Sequence, residues 1–208
     1  MAPRIVPAKE PPVTVMDALK EATRDAHERT EQHSLMGRMM QSPMDREVYT
    51  AVLRCFLSFV RPLEARLDAS VDWAALGLDH HARHKTPWLE HDLELLGIDP
   101  AAVPDAPETP APAGLGESLG CRYVLEGSTL GGQYIVKHLR KELPGELREA
   151  VAYFDGYGGE TGSKWKAFRA FGNRICTDPA GIDAACKAAN GTFEALGAAM
   201  ARTAGERR

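Results

Sequence analysis

At 208 residues and 44% hydrophobic content, the chain is long enough for one substantial core and short enough for one domain. A formal net charge of −4 and a pI near 6.0 provide no basic field for nucleic acid or an anionic membrane, so neither partner is expected. No apolar run reaches the roughly 20 residues of a membrane span and no signal-peptide core opens the chain, which predicts a cytoplasmic protein. Cys55, Cys121, Cys176 and Cys186 are scattered without CxxC spacing and read as free thiols.

Pro3, Pro7, Pro11 and Pro12 disfavour regular structure, so residues 1–13 read as a flexible tail. Thr14 to Asp17 form a capping box, and Val15, Leu19, Ala22 and Ala26 recur at helical spacing, predicting a helix over 14–31. Ser42-Pro43-Met44-Asp45 is a second start signal. It precedes a stripe of Tyr49, Leu53, Phe56, Val60, Leu63 and Leu67 in a long helix that Pro62 should kink. Trp88, Leu89, Leu93 and Leu96 mark a helix over about 82–96, ended by Gly97.

The segment 99–114 carries five prolines and reads as an extended surface connection inside a domain spanning 14–203. Beyond it the chain is helical at both ends of a stretch interrupted by Gly127, Gly131 and Gly132. Further helices are predicted near 145–155, 161–176 and 179–203, with a short tail over 204–208. No strand alternation is visible, so the fold class is all-α, a single-domain helical bundle.

Three glycines within six residues weaken a helix by roughly 2 kcal/mol against alanine. Such a cost is met by a bend, a close helix contact, or the approach of backbone to a flat ligand. On the first helix, Lys20, Thr23 and His27 share one side, with Lys20 and His27 about 10 Å apart along the axis. An imidazole there can bind a metal while the ammonium meets an anionic edge of the same ligand.

His80, His81, His84 and His91 form the most conspicuous histidine group, and a His81/His84 or His84/His91 pair could hold a metal. With no nearby cysteine and no HExxH spacing, the simpler reading is a solvated helix start. Tyr123 and Tyr134 flank the glycine segment, where either hydroxyl could reach a pocket or simply pack.

Four blocks resemble the haem oxygenase family, in particular the bacterial form found beside phytochrome genes. LKEATRDAHERTE (19–31) resembles the proximal helix, which implies His27 as the axial iron ligand and Lys20 as a partner of a haem propionate. YVLEGSTLGGQ (123–133) resembles the glycine-rich distal helix that crosses the haem on the O2 side. That likeness assigns Gly127, Ser128, Gly131 and Gly132 to the catalytic face, with Tyr123 beside the haem. SKWKAFRAF (163–171) resembles the basic segment near the propionates, with Lys166 the best match and Arg169 an alternative. AANGTFEAL (188–196) resembles the last core helix.

The resemblance implies a haem sandwiched between the two helices and opened to biliverdin, with release of CO and ferrous iron, using O2 and external electrons. One departure stands out: better-known members carry an aspartate after the first distal glycine, where this chain has Ser128. Glu31, one turn beyond His27, is a candidate to orient its imidazole. No dinucleotide fingerprint is present, so a ferredoxin or an NAD(P)H-dependent reductase is implied as electron donor, and a bacteriophytochrome is a possible biliverdin acceptor. A monomer is the default. Alternatives are a haem-storage protein, a non-haem or thiamin-related enzyme of the same helical fold, and a helical adaptor.

Overall fold

The computed structural model describes residues 13–205, the Glu146 side chain aside, and within them every regular element is helical. Nine α-helices occur in chain order: α1 (Val15–Ala22), α2 (Arg24–Glu31), α3 (Ser34–Met39), α4 (Arg46–Ser70), α5 (Thr86–Leu95), α6 (Leu115–Glu142), α7 (Ala152–Asp155), α8 (Thr161–Ile175) and α9 (Pro179–Thr203). The tails expected at 1–13 and 204–208 lie outside the described residues except for 13, 204 and 205.

The N-terminal signal works as read: the Thr14 hydroxyl accepts the Asp17 amide at 3.2 Å and donates to the Asp17 carboxylate at 2.7 Å. The predicted helix over 14–31 is nevertheless divided at Thr23 (φ −102°, ψ 1°), whose hydroxyl bonds back to the Leu19 carbonyl at 2.8 Å. Such back-bonding competes with the helical ladder and bends it. Met16, rather than the exposed Ala22, joins Val15, Leu19 and Ala26 in the core. α3 was not predicted; His33 caps it through Nδ1, at 3.2 Å from the Leu35 amide. The cap of α4 is Asp45, not Ser42, with its carboxylate 2.8 Å from the Glu47 amide.

α4 runs through the middle of the core, burying Tyr49, Leu53, Leu57, Phe59, Leu63 and Leu67. Pro62 has no N–H to give the Ser58 carbonyl one turn earlier, and the Ala106 amide takes that acceptor at 2.8 Å. Arg61 also binds the Pro100 and Val103 carbonyls and Asp105, and Arg66 binds Thr109 and Pro110. The proline-rich segment is thus a surface connection fastened along α4, with Val103, Ala106 and Thr109 buried.

α6 is one unbroken helix of 28 residues that passes straight through the three glycines. Its first half owes its position to two glycines of a different kind. A Cβ on Gly120 would come within 2.1 Å of the Ala185 carbonyl, and one on Gly116 within 2.5 Å of the Gly181 carbonyl, so both are required for α6 to lie against α9. The predicted helix near 145–155 is a 3-10 turn (Gly145–Glu149) followed by the single turn of α7. The helix predicted from 82 is a 3-10 turn (His81–Arg83) before α5.

Candidate functional site

The candidate residues lie on α1, α2, α6 and α8, and α9 packs against α1, α2 and α6. His27 stands on the outer face of α2 with its side chain 56% exposed and Nδ1 3.7 Å from the Glu31 carboxylate. The helical i, i+4 spacing alone produces that pair. The Phe193 ring of α9 meets the imidazole edge-on, with centroids 5.9 Å apart. An imidazole that is accessible, with an aromatic ring on one flank and a carboxylate on the other, can take a ligand that arrives from outside the fold.

The glycines of α6 divide into two kinds. A Cβ added to Gly132 would lie 2.4 Å from the Phe154 carbonyl, so this glycine serves close packing against α7. Added to Gly131 it would meet nothing within 4 Å, and added to Gly127 only the Trp165 ring at 4.0 Å. Protein packing therefore explains Gly132 and leaves Gly127 and Gly131 without a structural reason. A flat ligand laid against bare backbone supplies one. Gly132, expected with the other two to let backbone approach the ligand, has a packing reason of its own.

Ser128 is exposed next to them, but its hydroxyl donates to the Leu125 carbonyl at 2.9 Å. Tyr153 lies just ahead of Phe154, and burial pushes its phenol well above its ordinary pKa. Tyr123 is half-buried: burial raises its phenol pKa, and its ring lies 5.6 Å from that of Trp165. Tyr134, the other tyrosine considered, is 75% exposed.

Lys20 and Lys166 project from α1 and α8, which are joined by the Met16 amide bonding Asn173 at 3.1 Å. Both ammonium groups are exposed and have no hydrogen-bond or ion-pair partner among the described residues. Arg169 lies 3.6 Å from Asp17 and is to that extent engaged. Two unpaired cations, an accessible imidazole and two bare glycines fit a flat, anionic, metal-bearing molecule.

Beneath α6, beside Gly127 in sequence, Glu126 is 1% exposed. Its carboxylate takes Lys85 Nζ at 2.8 Å, the Tyr157 hydroxyl at 3.0 Å and an Arg83 guanidinium nitrogen. Desolvation alone would raise the Glu126 pKa, but Lys85 and Arg83 outweigh it and hold the carboxyl below its ordinary value. Sequence reading missed this cluster, along with Phe193, Trp165 and Tyr153. Phe193 and Trp165 lie within the blocks quoted above, whereas Glu126, Lys85 and Arg83 carry no local signal.

The family model described as Heme oxygenase matches residues 13–202. A heme oxygenase of Xanthomonas campestris pv. campestris is 34% identical over 140 residues, covering 65% of this chain and 78% of that protein. Among solved structures, the NO- and CO-bound heme oxygenase of Neisseria meningitidis superposes with a TM-score of 0.79 at 22% identity, covering 94% of each chain. The Leptospira interrogans heme oxygenase gives 0.76 at 15% identity, covering 91% of this chain and 99% of that one. Heme oxygenase-1 of the cyanobacterium Synechocystis, solved in complex with heme, gives 0.73 at 15% identity, covering 93% of each chain.

The fold and site thus define an all-α haem-binding oxidoreductase. The chain belongs to the haem oxygenase family, and its function is the enzymatic degradation of haem.

Proposed function

We propose that this enzyme holds haem between α2 and α6, with His27 as the iron ligand, and opens it to biliverdin. The observation that carries this reading is the contrast within α6: Gly132 is demanded by packing, whereas Gly127 and Gly131 leave backbone bare on the face offered to the ligand. Bound haem supplies the iron at which O2 is reduced and is itself the substrate, yielding biliverdin, CO and ferrous iron.

The protein's part is positioning and proton management. His27 would present a nitrogen to the iron, with the Glu31 carboxylate one turn on standing beside its other nitrogen. Lys20 and Lys166 hold the two propionates, with Arg169 in reserve once released from Asp17, and so set which edge of the ring faces the oxygen. Gly127 and Gly131 let the α6 backbone crowd that side. The Ser128 hydroxyl donates to the Leu125 carbonyl, so its oxygen is left to accept from water and orders it beside the ligand where a carboxylate is absent.

Electrons come from a ferredoxin or an NAD(P)H-dependent reductase, and a bacteriophytochrome is a suitable acceptor for the product. Free thiols at all four cysteines suit a reducing compartment, and we place the enzyme there, as a cytoplasmic monomer. The test is an anaerobic haem titration followed by air with ascorbate or a reductase system. A one-to-one Soret complex that decays to a broad biliverdin band is expected for the wild type. His27→Ala should lose the ligated spectrum and turnover together while keeping its fold. Intact haem under a working reductant would turn the reading to storage, and absence of any haem complex would overturn it.

A further inference from the structure

At the far end of α4, Asp68 meets three histidines of the connection leading to α5. One ligand atom each from Asp68, His80, His81 and His84 lies within 4.8 Å of all the others. His80 Nε2 and His84 Nε2 each approach the same Asp68 oxygen, Oδ1, to 2.9 Å. His84 is placed to hydrogen-bond there, but His80 Nε2 is not: it is buried with no hydrogen-bond partner, on a side chain only 10% exposed. The His81 ring completes the group, 4.1 Å from that of His80 and 5.1 Å from that of His84. Asp68, His80 and His81 line a cleft of about 890 Å³ that Trp73 and Leu78 also border.

Two imidazole nitrogens converge on one carboxylate oxygen, and one of them is buried with no hydrogen-bond partner, which is the geometry of donors aimed at a common third atom.

We propose that Asp68, His80, His81 and His84 form a binding site for a divalent transition-metal ion of the zinc class, separate from the residues assigned to haem. Three imidazoles and one carboxylate are the donors such ions take, whereas Mg2+ and Ca2+ prefer oxygen throughout. Bonds of about 2.0–2.2 Å keep ligand atoms within roughly 4.4 Å of one another, so small side-chain rotations complete the shell. With four protein ligands the site is of the closed, structural type. The ion clips the connection at 71–85 to the last turn of α4, and the site uses no residue of the haem reading.

The test uses full-length, haem-free protein stripped with a chelator and titrated with ZnCl2 by calorimetry, alongside Tm and the absorption spectrum with CoCl2. One saturable equivalent of zinc, a rise in Tm with zinc concentration and visible cobalt d–d bands are expected. His80→Ala and the double variant Asp68→Asn/His84→Ala should each weaken zinc binding at least about tenfold. His91→Ala and His27→Ala should leave it unchanged. If His80→Ala fails to fold, the double variant at the more exposed positions decides. No zinc binding by the wild type, or equal affinity in the double variant, overturns the proposal.

Discussion

On one side of α6, a side chain at Gly127 or Gly131 would meet nothing nearer than 4.0 Å; on the other, Glu126 is 1% exposed and holds Lys85, Arg83 and Tyr157. The outer face is left bare, and the inner face is closed by protein. The difference teaches how a glycine-weakened helix stays whole: what the outer face gives up in side chains, the inner face restores through a charge cluster and through Gly132 seated on the α7 backbone. A backbone held from behind can be offered to a ligand in front.

Breaking the inner face has the largest expected effect. Glu126→Ala would leave two buried cations without their carboxylate, at a cost of about 3–5 kcal/mol read as a fall in Tm or denaturation midpoint. Because Lys85 and Arg83 hold the Glu126 pKa below its unfolded value, its stabilisation is present above that unfolded value. It is lost as pH falls through the lower folded one, so Glu126→Gln should remove part of the acid unfolding transition.

Next comes the glycine pair that separates the two faces. Gly132→Ala drives a Cβ into the Phe154 carbonyl and should cost about 1–3 kcal/mol. Gly131→Ala, with open space around it, should stabilise the haem-free protein by about 0.5–1 kcal/mol while weakening haem binding in the same titration. Equal and opposite-free behaviour, with both variants destabilised and both binding haem normally, would erase the distinction between the faces.

The smallest effect sharpens the contrast from a second buried carboxylate. Asp92 is fully buried but faces the Ala152 and Tyr153 amides, at 2.8 and 2.9 Å, instead of paired cations. Desolvation exceeds those hydrogen bonds and pushes its pKa up to about 6. A raised carboxyl stabilises the fold below its unfolded value near 3.8, and that contribution is lost as pH rises through about 6. Asp92→Asn should therefore flatten the decline in stability between about pH 4 and 6, the reverse of the change at Glu126.

Much of the fold was legible because its signals are local. The Thr14 cap, the α4 stripe from Tyr49 to Leu67, the starts of α8 and α9 and the absence of alternation all operate within a few residues. The site was legible where it follows short motifs: His27 with Glu31 one turn on, and the glycine block at 127–132. The helix break at Thr23 was missed because a threonine hydroxyl chooses between solvent and its own backbone only in context.

By itself, then, the sequence determined an all-α chain, the family it belongs to, and which residues are candidates to meet haem. Only the tertiary structure decided which glycines pack and which stay bare, since that depends on the Phe154 and Ala185 carbonyls brought in from other helices. It likewise decided that Glu126 meets Lys85 and Arg83, 41 and 43 positions away, and that Asp68 meets His84, 16 positions away. Charges and ligand atoms act through distance in space, and chain folding is what sets that distance.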